Sequence, residues 1–551
     1  MMTDRPDTCQ HPAYHNCNEG IASGMGKLKV IAFAVFAGIS AVTPAGAQTA
    51  SPDRPVARLG IQTETSSIDP HFALVGANQT VAGMIFESLL AADDAMRPTA
   101  GLADRWTSID DTTWEFHVRP GAMFHDGSKV TAEDIRFSLE RMPRVPGSPA
   151  PYVRLAGLTQ SLEVVSADTF RLHTKSFDPA VPLHALSAYI VSARVAATAN
   201  SADFNAGRAT IGSGPWRFVE FKPGEHLVLD AARADLAYGR AIIRPIGNDA
   251  ARVAGLLSGD LDLIDSVPPD DVEKLRANKS IAIWQAPSAR MIYIGLDQEY
   301  AVSAQVQGND GKPLATNPLQ DRRVRQALNM AVNRTLIVDR ILHGAGRATG
   351  QLVPQGFVGY DASIQPPAYD VAGAKKLLAE AGYPNGFKIT LTSPNNRYVQ
   401  DDKTAQAVAQ MWTRAGVATS VDVLPANAFF ARAAKRDLSA FLIGFGSTAG
   451  DSYTGMSQVL HSYDEAKGLG ALNRFRFSDK AVDEALERSQ LARDPDSRAN
   501  ALRDAARIAF TQDSAMVPLH LPDNVWATRA GLTYQAKMQE GALPELLRPA
   551  K

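Results

Sequence analysis

Trp114-Glu115-Phe116-His117-Val118-Arg119-Pro120-Gly121 lies at the centre of the stretch that decides the fold, Pro98 to Pro143. Residues 114–119 alternate apolar and polar, the signature of a half-buried strand. Pro120-Gly121 turns the chain. Phe124-His125-Asp126-Gly127 follows, and its Asp-Gly pair supplies a second tight turn. Thr131-Ala132-Glu133-Asp134 then offers a capping-box-like helix start, with Ile135, Leu139 and Met142 on one helical face and Pro143 at its end.

The rest of the chain keeps this mixed style. Val56 to Gln62 reads as a strand and Gln79 to Leu90 as a helix, with the loop from Thr63 to Asn78 between them. Residues 91–210 are rich in strands; Leu162, Val164, Phe170 and Leu172 alternate around a Ser166-Ala167-Asp168 hairpin turn. Gly212-Ser213-Gly214-Pro215-Trp216 and Lys222-Pro223-Gly224-Glu225 are further turns, and Gly259-Asp260-Leu261-Asp262 follows a helix. Gln320 to Asn333 carries a buried stripe of Val324, Ala327, Leu328 and Ala331 behind an Asp321 cap. A second helix, Thr335 to Leu342, stops at His343-Gly344. Asp370 caps another that ends at Gly382, where a left-handed residue is needed. The fold class is therefore mixed α/β.

At 551 residues the chain exceeds one ordinary core and suffices for two or three domains. Its 45% hydrophobic and 21% charged content is that of a soluble globular protein, and a net charge of −2 gives no electrostatic case for nucleic acid. Lys27 and Lys29 precede an apolar run from Val30 to Val42, and Ala45-Gly46-Ala47 fits a cleavage site, so a mature chain from Gln48 is expected. The run is shorter than the roughly 20 residues that span a bilayer. Met25 is an alternative start. Both cysteines, Cys9 and Cys17, and the pair His11 and His15 lie in this removable leader, 1–47. No disulfide, thiol chemistry or lipid-bearing cysteine is then expected in the mature chain.

The ordered motifs resemble the family 5 solute-binding proteins of ABC importers, the peptide- and nickel-binding group. The likeness covers about residues 56 to 535: the 114–134 run, Gly212 to Trp216, Gly259 to Asp262, Arg325-Gln326-Ala327 with Asn333-Arg334, and Pro384-Asn385-Gly386-Phe387. It implies two α/β lobes joined by two chain crossings, an extra subdomain in the first lobe, and a ligand cleft between the lobes that closes about a hinge. The expected division is lobe I, 48–290 with 517–551, its subdomain about 91–210, and lobe II, 291–516. The expected role is a periplasmic protein that captures a peptide or peptide-like solute. It would hand that solute to an inner-membrane permease with its ATPase subunits, as a monomer, without a cofactor and without catalysis.

Three segments are candidates for the cleft, where stripped water must be replaced by a few aimed polar groups. The loop after the first strand offers His71 and Asn78, set against the reading that an ordered loop satisfies itself. Asn395, Arg397 and Tyr398 precede a helix from Asp402 to Ala415; the resemblance puts a carboxylate-pairing arginine near here, and a guanidinium fork suits that task. The third segment holds Phe445, Ser447, Thr448 and Asp451. There the aspartate that grips a peptide's amino group in relatives falls on Thr448, which puts a simple dipeptide in doubt; Asp451 is a later acidic position. His117, His125, His173 and the other histidines form no ligand cluster, and His125 is expected to bond within its own turn. A non-peptide solute (nickel chelate, opine or glycoside) is the alternative. A secreted hydrolase is a further one, although no Gly-x-Ser-x-Gly occurs, and a sensory or chaperone module sharing the fold is the last.

Overall fold

The computed structural model describes residues 54–550 apart from 151, 304 and 448. The leader and cleavage site read at residues 1–47, with Cys9, Cys17, His11 and His15, lie outside the described residues, as does Thr448. No helix among the described residues is long and apolar enough to cross a membrane.

The decisive stretch folds as its pattern dictates. Strand Thr113–Val118 buries Phe116 and Val118 and leaves His117 half-exposed. Gly121 and Gly127 take φ of 76° and 83°, the left-handed turns that Pro-Gly and Asp-Gly announce. Helix Ala132–Arg141 begins where the Asp134 carboxylate accepts hydrogen bonds from both the backbone N–H and the Oγ1–H of Thr131, at 2.9 and 2.7 Å. Ile135, Leu139 and Met142 are buried, and a 3₁₀ turn at Met142–Arg144 carries Pro143. This strand joins Ala103–Ser108, Thr159–Val164 and Thr169–Thr174 in a four-stranded antiparallel sheet with its own core of Phe116, Phe170 and Leu172.

The helix expected from Gln79 to Leu90 instead spans Gly76–Ile85, and Leu90–Ala92 is a strand. Phe86 turns extended at φ −115°, ψ 150°. The reason is the Gly212-Ser213-Gly214 turn, which packs on the helix end: Gly214 N donates to Ile85 O at 2.8 Å, and a Cβ on Gly212 would stand 1.9 Å from that oxygen. The same turn corrects the expectation for His125. Its ring does not bond within its own turn; Nε2 donates to Gly214 O at 2.9 Å, and its backbone N–H donates to Gly212 O at 2.7 Å.

The main sheet has thirteen strands among the described residues and two parts, sewn together by the long strand Val517–Arg529. Its later half pairs antiparallel with Ile281–Pro287 and with Leu263–Ile264, beyond which lie Val56–Ile61, Arg240–Pro245, His226–Ala231 and Trp216–Lys222. Its earlier half pairs with Arg290–Leu296, beyond which lie Ala440–Gly446 and Phe387–Pro394. Ile281–Pro287 and Arg290–Leu296 are consecutive strands broken at Ser288-Ala289, so the chain passes from one part to the other twice, side by side. The crossings touch where Ser288 N donates to Pro522 O at 3.2 Å. Helices Arg322–Met330, Val371–Glu380 and Asp401–Arg414 pack apolar faces on the second part, burying Val324, Leu328, Leu378 and Trp412.

Candidate functional site

Beside the crossings lies a cavity of about 510 Å³, within the range of small-molecule sites. One wall comes from the start of helix Gly76–Ile85, the turn through Glu87 and the Ala91–Met96 segment. The other comes from Arg290, Arg397 and the end of strand Ala440–Gly446. The floor is the C-terminal segment, with Glu540 and Glu545. The front is shut. Met96 is buried in the same core cluster as Phe441 and Tyr453, and its carbonyl accepts from Gly450 N at 2.8 Å. Another concavity, about 560 Å³, is an open groove over strands Phe387–Pro394 and Val417–Leu424, lined by uncharged residues apart from Lys388.

The Arg397 loop is built to be rigid. Asp401, first residue of helix Asp401–Arg414, accepts from the backbone N–H of Arg397 at 3.1 Å and of Tyr398 at 3.0 Å. The Tyr398 ring lies 5.0 Å from the Arg397 guanidinium and 5.8 Å from that of Arg290, and its hydroxyl donates to Gly444 O at 3.3 Å. Glycines make room for this stack: a Cβ on Gly444 would meet the Tyr398 ring at 2.9 Å, and one on Gly446 would meet the Arg290 guanidinium at 3.1 Å.

Charge is unevenly balanced here. Arg290 donates Nε and Nη2 to the two oxygens of Glu540, at 2.5 and 2.9 Å. Burial opposes ionisation of Glu540, but Arg290, helped by Arg397, outweighs it and holds the carboxyl below its ordinary value. Arg397 is different. Its guanidinium lines the cavity and, among the described residues, neither donates a hydrogen bond nor lies within ion-pair distance of a carboxylate. Burial first, and then repulsion from Arg290, lowers its pKa from the ordinary value.

The cavity gathers three of the expected residues: Arg397, Phe445 and Ser447. Tyr398 braces Arg397 from behind, and Asn395 is exposed on the loop outside the lining. His71 and Asn78 are buried elsewhere. His71 Nε2 donates to Tyr189 O at 2.7 Å while Nδ1 accepts from Arg141 at 3.0 Å, and Asn78 bonds Ser66 and Ser67. The same loop reaches the cavity through Leu74, Val75 and Gly76. Asp451 forms a buried ion pair with Arg498 at 2.6 Å and accepts from Tyr453 N at 2.6 Å, away from the lining. Sequence reasoning passed over Arg290, Glu540 and Glu545. The one signal available was Trp216, whose buried indole N–H requires an acceptor; that acceptor is Glu545, at 3.0 Å.

Residues 97–467 match the signature of the bacterial extracellular solute-binding proteins, family 5. The chain belongs to this family. Its relatives include the glutathione-binding protein GsiB of Shigella flexneri, 25% identical over 518 residues, covering 91% of this chain and 95% of that one. Among solved structures, the periplasmic binding protein DppA from Helicobacter pylori, in complex with the peptide STSA, superposes with a TM-score of 0.74 at 21% identity, covering 90% of this chain and 98% of that one. NikZ from Campylobacter jejuni, in complex with Ni(L-His), gives 0.72 at 22% identity, covering 87% and 94%. The family and fold are those of transport binding proteins, with two lobes and delivery to an ABC permease. Among the described residues no group of three or more His, Cys, Asp or Glu is placed to hold a metal ion.

Proposed function

We propose that this family 5 protein is exported to the periplasm by a signal peptide that is cleaved off with residues 1–47. There it captures a small peptide-like solute in the cavity beside the crossings and releases it unaltered to its permease. The observation that carries this reading is the Arg397 guanidinium, unpartnered among the described residues and held on the wall of a cavity of about 510 Å³ by the Asp401 bonds to its loop. A half-buried cation without an anion is poorly compensated, and a ligand carboxylate completes it with a bidentate pair. The names of GsiB and DppA, glutathione-binding and peptide-bound, support a solute of this class. We place the hinge at Ser288-Ala289 and Pro522, where the chain changes from one part of the sheet to the other. Few dihedrals need change there while each packed part stays rigid.

Calorimetric titration with glutathione, di- and tripeptides and histidine-chelated nickel, followed by mass spectrometry of the recovered solute, tests this. A carboxylate-bearing peptide-like solute should bind one to one and be recovered intact. Recovery of a cleaved product would establish the hydrolase alternative, and binding of the nickel chelate alone would move the reading to that ligand class.

A further inference from the structure

Glu545 lines the same cavity as Arg397, from the C-terminal segment that forms its floor. Its carboxylate accepts the Trp216 Nε1–H at 3.0 Å. Among the described residues no cation lies within ion-pair distance of it. The other acids of the cavity are paired: Glu87 with Arg119 at 2.8 Å, Glu540 with Arg290, Asp93 with Arg97 at 2.8 Å, and Asp94 with Lys537 at 3.7 Å. After this internal neutralisation one cation and one anion remain among the described lining residues, Arg397 on a wall and Glu545 on the floor. Burial raises the pKa of Glu545 above its ordinary value, with the Trp216 bond and the more distant Lys537 and Arg233 only partly opposing it. The protein itself therefore leaves this carboxylate under-compensated.

We infer that Glu545, oriented by Trp216, is the anchor for a cationic group of the solute, a primary ammonium first of all, so that the cavity selects zwitterions. This rests on the reading that the Arg397 cavity is the solute site. A zwitterion spanning the cavity places its carboxylate on Arg397 and its ammonium on Glu545, and each lobe then holds one end. Bringing the lobes together joins both charge pairs at once. A solute with only one of the charges leaves the other protein group unpaired.

The test uses the full protein and two matched probe pairs: glutathione with N-acetylglutathione, and L-alanyl-L-alanine with its N-acetyl form. Glu545→Gln keeps an oxygen for the Trp216 bond and removes the charge. The wild type should bind at least one amine-bearing probe roughly tenfold or more tighter than its acetylated partner. Glu545→Gln should reduce that ratio to about one, by weakening the amine-bearing probe and by no longer penalising its acetylated partner. An unaltered ratio in Glu545→Gln, or equal binding of both partners by the wild type, overturns the inference and leaves the cavity reading intact. Undiminished binding by Arg397→Ala overturns the cavity reading itself. Failure of all four probes to bind overturns both.

Discussion

Arg290 grips both carboxylate oxygens of Glu540, and this pair leaves Arg397, 5.0 Å from the shared Tyr398 ring, without an anion of its own among the described residues. Removing Arg290 should therefore act through Glu540. In Arg290→Ala the Glu540 carboxylate is released toward Arg397 and competes with the solute, weakening a carboxylate ligand by about 1–3 kcal/mol. Arg290→Ala combined with Glu540→Gln should recover most of the loss. Calorimetry on the double-mutant cycle reads this directly; additive losses would show that the two residues act separately.

Gly212→Ala should destabilise the fold by about 3 kcal/mol or more, because a Cβ 1.9 Å from the Ile85 carbonyl forces the helix end and the turn apart. Thermal or urea unfolding checks this. A loss below about 1 kcal/mol would mean that the contact relaxes without cost.

Stability should fall on acidification before most carboxylates titrate. Burial lowers the His520 pKa from 6.5 to about 3. Burial and then the Arg141 charge lower that of His71 to about 4. Each folded-state value is depressed, so the unfolded chain takes up protons that the folded chain refuses. Stability is full above pH 6.5 and is lost as pH falls from there toward 4 and 3. His520→Leu should flatten part of this slope. It should also stabilise the protein at neutral pH, since neither ring nitrogen of this buried residue has a hydrogen-bond partner among the described residues. Urea unfolding at stepped pH measures both, and an unchanged slope would remove His520 from the account.

Asp270, on helix Pro269–Ala277, accepts from His343 and Lys403 at 2.8 Å each and from Gln400 at 3.3 Å, all three across the crossings. The groups are exposed, so the clasp is worth only about 0.2–1 kcal/mol. Gln400 lies three residues beyond Arg397 in the loop that precedes helix Asp401–Arg414, so the clasp helps to set the cavity wall. Asp270→Asn should favour the open form and weaken solute binding about two- to fivefold. Small-angle scattering and calorimetry would show it; a variant as compact and as tight as the wild type would reduce the clasp to surface decoration.

The fold was legible because its signals are local and mutually consistent. Strand alternation at 114–118, the Asp134 cap and the glycines at 121, 127 and 382 each specify one backbone state, and the structure adopts each. The end of helix Gly76–Ile85 was not legible, because it is fixed by Gly212 and Gly214, far along the chain. The lining of the candidate site was legible in part for the same reason. Arg397 and Phe445 sit in segments with a recognisable order. A polar loop residue does not reveal its partner: His71 is turned inward by Tyr189 and Arg141, and Asp451 by Arg498. Glu540 and Glu545 belong to a C-terminal segment with no periodic pattern, and only their pairings with Arg290 and Trp216 reveal them.

The central claim is that the Arg397 cavity holds a small carboxylate-bearing solute. The most direct measurement is mass spectrometry of whatever native, never-denatured protein releases on unfolding, compared between wild type and Arg397→Ala. The account predicts a near one-to-one yield of one intact carboxylate-bearing molecule from the wild type and its loss from the variant. Equal yields from both proteins, or a released molecule with no carboxylate, would contradict it.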